Sequence, residues 1–163
     1  MRISVLAVGR LKAGPEKTLA EDYLTRLRSL GPKAGVSRIA VTDFAESRAQ
    51  TADQRQSEEA RMLWGAVPPK AFTIILDERG KPMASEAISR LLRRHIDAGT
   101  PELAFLIGGP DGHAPDTRQR AHLLLSFGPM TWPHRLVRVM LFEQIYRAVT
   151  IMVNHPYHRA SVV

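Results

Sequence analysis

The sequence contains no cysteine. Disulfide bonds, a thiolate nucleophile and a cysteine-based zinc site are therefore excluded, which fits a cytoplasmic protein. Long uncharged runs are also absent, because Arg138, Glu143 and Arg147 interrupt the most apolar stretch. A membrane span needs about 18 such residues or more, so none is predicted. The apolar run at residues 1–9 is too short for a signal peptide.

Lysine is scarce, with five residues against eighteen arginines. The net charge is +7 and the isoelectric point is near 10.4. Arginine binds phosphate through two parallel hydrogen bonds and stacks on bases. This composition favours a polyanionic partner, most simply nucleic acid. The alternative is a compositional bias that only serves solubility.

Short apolar runs alternate with segments of helical spacing. Strands are predicted at residues 2–9, 36–44, 72–76, 103–107 and 123–127. Helices are predicted at residues 15–30, 54–64, 85–98 and 116–121, with a long final helix after a loop at 128–134. Gly31 is expected to end the first helix, Ser85 to cap the third, and residues 77–82 to form a turn. The pattern predicts an α/β fold, with a mainly parallel sheet flanked by helices on both faces and a single domain spanning residues 1–163.

The final helix has more apolar surface than one sheet can cover. Its polar residues form one narrow stripe: Glu143, Arg147, Thr150 and Asn154. Most of the remaining circumference is apolar. The surplus suggests a subunit interface, most simply in a two-fold dimer. The alternative is a central helix buried within one chain.

Three predicted strands end in residues suited to ligand binding: Leu76-Asp77, residues 107–112 and residues 127–132. Ligands of parallel sheets bind beyond such strand ends. Taken alone, the Gly-Gly-Pro run at residues 108–110 favours a plain tight turn. Neither a phosphate-binding loop nor a dinucleotide motif is present. No protein nucleophile is evident, so direct transfer between two bound substrates fits best.

The histidines give no clear metal site. His155 and His158 are three residues apart, but Pro156 between them disfavours a regular helix and no third ligand is evident. No metal is therefore predicted. His113 is expected to be solvated, and His134 is a candidate cap for the long helix. The polar tail, residues 154–159, suits recognition of a base and a phosphate.

Four motifs together resemble a known family. They are Phe-Leu-Ile-Gly-Gly-Pro-Asp-Gly at 105–112, Thr-x-Pro-His-x-Leu-Val-Arg at 131–138, Glu-Gln-x-Tyr-Arg at 143–147 and Asn-His-Pro-Tyr-His-Arg at 154–159. In this combination the chain resembles the pseudouridine N3-methyltransferases of large-subunit ribosomal RNA, in the SPOUT superfamily. The resemblance extends over the whole chain.

The resemblance implies a deep trefoil knot at about residues 103–159 and a homodimer with the long helix at its interface. It implies S-adenosylmethionine as methyl donor, held by Leu76, Gly108, Phe127, Gly128, Pro129, Met130, Thr131 and Trp132. The implied substrate is a pseudouridine of 23S rRNA in the assembled ribosome. We expect His155, Tyr157 and Arg138 to assist loss of the N3 proton, in a site that two subunits could share, and His158 and Arg159 to hold RNA.

One departure from the family pattern concerns Gly128-Pro129 and Trp132, which stiffen the loop and add bulk near the expected adenine pocket. Two alternatives stay open at this point. One is a knotted methyltransferase that acts on another RNA, such as transfer RNA. The other is a dimer that binds ribosomal RNA without catalysis.

Overall fold

The computed structural model describes residues 1–159, which form one five-stranded sheet with helices on both faces. The strands are β1 Arg2–Val8, β2 Arg38–Phe44, β3 Phe72–Pro82, β4 Glu102–Ile107 and β5 Leu123–Ser126. Their order in the sheet is β2-β1-β4-β3-β5, and all pairs are parallel. The predicted α/β fold class with a parallel sheet is confirmed.

The helices are α1 Pro15–Leu30, α2 Ala52–Gly65, α3 Ser85–Asp97, α4 Pro115–Arg120 and α5 His134–Met152. Short 3-10 segments follow α1 at Gly31–Ala34 and α5 at Pro156–Arg159. Helix α5 packs between α1 and α3 on the face with the larger apolar core, and α2 covers the other face. Both faces of the central strands are therefore buried, which explains why these strands read as continuous apolar runs.

Strand β1 illustrates how the two cores are built. Ile3, Val5 and Ala7 belong to the larger core, whereas Leu6 and Val8 belong to the smaller one. Successive side chains of a strand point to opposite faces, so an uninterrupted apolar run supplies both layers.

The start of α2 differs from the prediction, and the chain stays helical for a few residues past the predicted end of α1. Helix α2 begins at Ala52 because Thr51 and Gln54 form a capping box, in which Thr51 Oγ1 accepts from the Gln54 N–H at 3.2 Å. Helix α1 ends at Leu30, as predicted, but Gly31 keeps a helical conformation and begins the 3-10 segment. Gly35, with φ of 92°, ends it instead, since glycine adopts a positive φ without strain.

Ser85 is not the N-cap of α3, so that prediction is wrong. Ala84 occupies the cap position and no side chain caps the helix. The Ser85 hydroxyl instead donates to Gln144 Oε1 at 2.8 Å, and Ser89 donates to the carbonyl oxygen of Ala148 at 3.1 Å. These two bonds tie α3 to α5.

Residues 77–82 do not form a simple turn, as was predicted, but belong to β3, which pairs with β5 before and after an irregular segment. Leu125 of β5 is the register partner of both Leu76 and Lys81. Between them, Gly80 lies directly against the backbone of β5, where an added Cβ would stand 2.7 Å from the carbonyl carbons of Leu124 and Leu125. Only glycine permits this crossing of two backbones.

Helix α5 is mostly buried, with Val139, Phe142 and Ile145 in the larger core. Of its predicted polar stripe, Glu143 and Arg147 form an ion pair at 2.6 Å. Thr150 is fully buried, and its hydroxyl is satisfied by the carbonyl oxygen of Arg147 at 2.7 Å. Within residues 1–159, no helix combines the length and the apolar character needed to cross a bilayer.

Candidate active site

The carboxyl ends of β3, β4 and β5 border a cleft of about 330 Å³. Leu76 and Ile107 line its floor, and the loop that follows Ser126 forms one wall. Loops from neighbouring parallel strands converge at this edge, which is where such sheets bind ligands. The cleft is therefore the candidate active site.

The residues predicted to bind the cofactor are gathered here, with one exception. Those lining the cleft are Leu76, Gly108, Phe127, Gly128, Met130, Thr131 and Trp132. Pro129 belongs to the same loop but does not line the cleft. Gly128 has φ of 103°, and nothing lies within 4 Å of where its Cβ would be, so this part of the loop is open to a ligand. Trp132 Nε1 is buried without a hydrogen-bond partner among residues 1–159.

Helix α2 holds the glycine turn at residues 108–112, and its Gln56 also lines the cleft. Arg55 makes two hydrogen bonds to the Asp111 carboxylate, at 2.6 and 3.0 Å, and hydrogen bonding to Arg55 lowers the pKa of Asp111. Gln56 Nε2 donates to the backbone oxygen of Asp111 at 2.6 Å. Inside the turn, the Gly112 N–H donates to the Gly109 oxygen at 2.9 Å. The run is thus a tight turn and also a wall of the cleft.

Glu59 of α2 is buried beneath the same turn, with 3% of its surface exposed. The Ser47 N–H donates to Oε1 at 3.0 Å. A Cβ on Gly109 would stand 2.7 Å from Oε2, so glycine lets the turn lie directly against the carboxylate. Burial raises the pKa of Glu59.

His113 is buried at 4% exposure, so the prediction that it is solvated is wrong. It lines the cleft directly after the glycine turn, and its ring lies 3.2 Å from where a Cβ on Gly108 would be. Burial lowers the pKa of His113 to about 4, which leaves the imidazole neutral at neutral pH. Nε2 has no hydrogen-bond partner in the described part of the chain.

Asp77 and Arg118 form an ion pair at 2.7 Å on the cleft wall. The Asp77 side chain is only 5% exposed. Burial alone would raise the pKa of Asp77, but hydrogen bonds from Arg118 and from the Arg79 N–H outweigh it and lower the pKa. The pair joins the end of β3 to α4 and fixes one side of the cleft.

Sequence reasoning placed Asp77 at a ligand-binding strand end but did not predict its ion pair, and it missed Arg118 and Glu59. Asp77 had a usable signal, because it follows a buried strand at the ligand-binding edge. Arg118 and Glu59 had none, since their roles depend on which helices the fold brings against that edge. His113 was misread because a histidine after glycines ordinarily indicates an exposed turn.

Arg138, predicted to assist catalysis, does not line the cleft. It is buried near the start of α5, where Nη1 donates to Asp43 Oδ1 at 2.8 Å and Nη2 to the Gly9 oxygen at 2.5 Å. Burial lowers the pKa of Arg138, opposed by the Asp43 charge. The contacts in this subunit therefore tie α5 to the ends of β1 and β2.

The polar tail lies at the opposite end of α5. Tyr157 hydroxyl donates to Glu143 Oε1 at 3.0 Å and lies 3.2 Å from the Tyr23 hydroxyl. Burial, followed by the hydrogen bond with Tyr23, raises the pKa of Tyr157. His155 Nδ1 accepts the Tyr157 N–H at 3.2 Å. The tail folds back to Glu143, but the hydrogen bonds of Arg138 go to Asp43 and Gly9, and none joins it to this tail within residues 1–159.

The residues predicted to hold RNA also lie in this tail. Arg159 is exposed and its Nη2 donates to Asn154 Oδ1 at 3.1 Å. His158 Nδ1 is buried without a hydrogen-bond partner within residues 1–159. No group of three metal-binding side chains occurs in that range.

His134 does not cap α5, so that prediction is wrong. It is the first residue of the helix, Pro133 takes the cap position, and no side-chain cap bond forms. Instead, His134 lines the cleft with Nε2 at 3.7 Å from Glu46 Oε1. His122 precedes β5, and its Nδ1 accepts the Thr73 N–H at 3.1 Å.

A glycine-lined cleft with an apolar floor, at one edge of a parallel sheet, is the kind of site at which α/β proteins bind small ligands and cofactors. A family model described as "Predicted SPOUT methyltransferase" matches residues 1–158. The chain belongs to this family and is a methyltransferase. Membership implies the C-terminal knot expected from the sequence, whose proposed limits, residues 103–159, stay a prediction.

Individual relatives are similar to this chain over their full length. Proteins named "Ribosomal RNA large subunit methyltransferase H" from Rhizobium meliloti and Rhodopseudomonas palustris are each 51% identical over 160 residues. The protein of that name from Brucella anthropi is 49% identical over 160 residues. Each match covers 98% of this chain and 100% of the relative.

Proposed function

We propose that this protein transfers a methyl group from S-adenosylmethionine to N3 of a pseudouridine in 23S rRNA, within the assembled ribosome. The observation that carries the proposal is similarity to large-subunit rRNA methyltransferases over the whole chain, including every loop that lines the cleft. The net charge of +7 supports an RNA substrate, because RNA attracts a basic surface.

The cleft fits the donor in its chemistry. Leu76, Ile107 and Phe127 offer apolar surface for the adenine ring, and Gly108 and Gly128 let a ligand approach the backbone. The unpartnered Trp132 Nε1 is a further donor in the wall. When bound, S-adenosylmethionine supplies an electrophilic methyl carbon on a sulfonium.

The chain's own residues must hold the acceptor in line with that carbon, exclude water and accept the N3 proton. Positioning supplies most of the rate in such a direct transfer. Asp77 is held by Arg118, and His113 is a neutral imidazole in the wall with an unpartnered Nε2. These two residues shape the cleft, and the groups proposed to act on the acceptor lie elsewhere.

We assign the proton transfer to the polar tail of a second subunit. Tyr157 donates its hydroxyl hydrogen bond to Glu143, and its raised pKa keeps the phenol protonated. Tyr157 would therefore position the acceptor. His155 would accept the N3 proton, a role that suits histidine side chains. Arg138 is 2% exposed and bonded to Asp43 and Gly9, so it would act by positioning the start of α5, and His158 and Arg159 would hold flanking RNA.

A groove of about 660 Å³ between α1, α3 and α5 supports the proposed homodimer. Leu19, Met83 and Met140 are among its apolar lining residues, and Leu19 is 46% exposed. Residues 126–128 line both this groove and the cleft. A partner seated here would stand beside the cleft, as a shared site requires.

The test incubates assembled ribosomes that lack the modification, and transfer RNA in a parallel reaction, with S-adenosylmethionine that carries a labelled methyl group. We expect one labelled nucleotide in 23S rRNA, which mass mapping identifies as N3-methylated pseudouridine. Label in transfer RNA alone would contradict the substrate. Calorimetric failure to bind S-adenosylmethionine would contradict the enzymatic proposal itself and leave only RNA binding.

A further inference from the structure

A second groove, of about 540 Å³, lies between α2 and α4 on the side of the sheet opposite α5. Arg61 and Trp64 line it from α2, and Asp116 and Arg120 line it from α4. None of these residues takes part in the cleft or in the apolar groove described above. The function proposed so far leaves this surface without a role.

Arg120 and Trp64 form a fixed aromatic and cationic platform in this groove. The guanidinium carbon of Arg120 lies 4.1 Å from the centroid of the Trp64 ring. Trp64 Nε1 lies 3.4 Å from Oγ1 of the buried Thr117, which holds the indole in place. A guanidinium stacked on one side keeps its other face and its edge N–H groups available.

The arginines of this groove differ from those near the cleft in their partners. Arg118 and Arg55 are each paired with a carboxylate, at 2.7 and 2.6 Å. Arg61 and Arg120 are exposed, and neither forms an ion pair with any described residue. Asp116 is the acidic residue of the groove and pairs with neither of them. Two uncompensated guanidinium groups beside an aromatic ring suit a phosphate and a base.

The groove is next to the cleft along the chain. Residues 108–113 line the cleft, and residues 114–117 line the groove. Helix α4 places Arg118 on the cleft wall and Arg120 over Trp64, one on each side of the same helical turn. An RNA strand that leaves the cleft past this turn would therefore reach the platform.

We propose that the groove between α2 and α4 is a second RNA-binding surface, at which Arg61 and Arg120 each take a backbone phosphate of rRNA and the Arg120–Trp64 platform stacks a neighbouring base. The proposal rests on the proposed function, since it takes RNA as the substrate. Opposite charge selects RNA over an apolar or basic protein partner.

The test compares the double variant Arg61→Gln/Arg120→Gln with a matched control, Lys33→Gln/Arg38→Gln. The control removes the same charge from exposed positions near the amino-terminal edge of the sheet. Binding to large ribosomal subunits that lack the modification is measured as a function of salt concentration. Calorimetry with S-adenosylmethionine shows whether the cleft is intact in each variant.

Each phosphate contact to single-stranded nucleic acid contributes about 0.7 to the slope of log affinity against log salt. The groove variant should therefore lose about 1.4 from the slope and roughly tenfold in affinity at 0.15 M salt, with donor binding unchanged. The control should keep the wild-type slope. Arg120→Lys should also keep it, because the charge remains.

Three results would overturn the proposal: a wild-type slope in the groove variant, an equal loss of slope in the control, or a loss of slope with Arg120→Lys as large as in the groove variant. A groove variant that loses affinity for the ribosome with no change in slope would point to a protein contact instead and also overturn it. Failure of the proposed function is distinct, because it would be seen in the wild-type protein as no methyl transfer to rRNA.

Discussion

Substitution of Gly80 by alanine tests the close crossing of β3 over β5. A Cβ at this position would stand 2.7 Å from two backbone carbons and 2.8 Å from the Leu124 oxygen, where ordinary contacts lie at 3.4–4 Å. The neighbours are backbone atoms of a paired strand, so they cannot rotate away as a side chain would. Relief requires β5 or the segment at residues 77–80 to move by about 0.7 Å, which overpacking data place at roughly 1–3 kcal/mol or more.

The assay is equilibrium unfolding in urea at a fixed protein concentration, because association would stabilise the folded state. Gly65→Ala is the matched control. Gly65 ends α2, has no atom within 4 Å of an added Cβ and lacks a positive φ, so alanine there should stabilise by about 0.5–1 kcal/mol. The two identical substitutions should thus have opposite signs. Equal stability of Gly80→Ala and the wild type would refute the described crossing.

Three further predictions follow from the buried and tail residues. Asp77→Asn leaves the Arg118 charge unpaired on the cleft wall and should lower the free energy of unfolding in urea by about 3 kcal/mol. Because folding lowers the pKa of Asp77, the ion pair stabilises the wild type above the ordinary pKa of Asp77, and this stabilisation is lost as the pH falls below about 4. The pKa of His113 falls from 6.5 to about 4 on folding, so the unfolded chain binds a proton before the folded protein does as the pH is lowered. The free energy of unfolding of the wild type should therefore fall by roughly 3 kcal/mol between pH 7 and pH 4. The His113→Gln variant should not show this fall. His155→Ala and Tyr157→Phe should each reduce methyl transfer at least tenfold with donor affinity unchanged in calorimetry, and undiminished transfer would remove the tail from the mechanism.

Local patterns predicted the elements well because each one obeys its own periodicity. Helix α1 has the predicted bounds, Pro15–Leu30, since its apolar spacing, its proline at the first turn and its polar exterior all agree. The sheet edge at which Leu76, Gly108 and Gly128 meet followed from the rule for parallel strand ends. These signals come from residues that are close together in the sequence.

Features that depend on distant contacts escaped sequence reasoning. Ser85 has the chemistry of a cap, yet a glutamine on α5 captures its hydroxyl. Residues 77–82 have the composition of a turn, yet β5 pairs on both sides of the detour. His113 is neutral because helices and strands far apart in the chain enclose it. In each case tertiary packing determined the conformation or protonation state, and the pattern of a single sequence does not contain that information.

The positions of the two tryptophans have a practical consequence. Trp132 lies in the cleft wall and Trp64 lies under Arg120 in the groove between α2 and α4. The protein thus carries one intrinsic fluorophore at each of its two proposed ligand surfaces. Replacing either indole by phenylalanine would leave a single emitter, so the arrival of methyl donor and of RNA could be followed separately without attaching a dye.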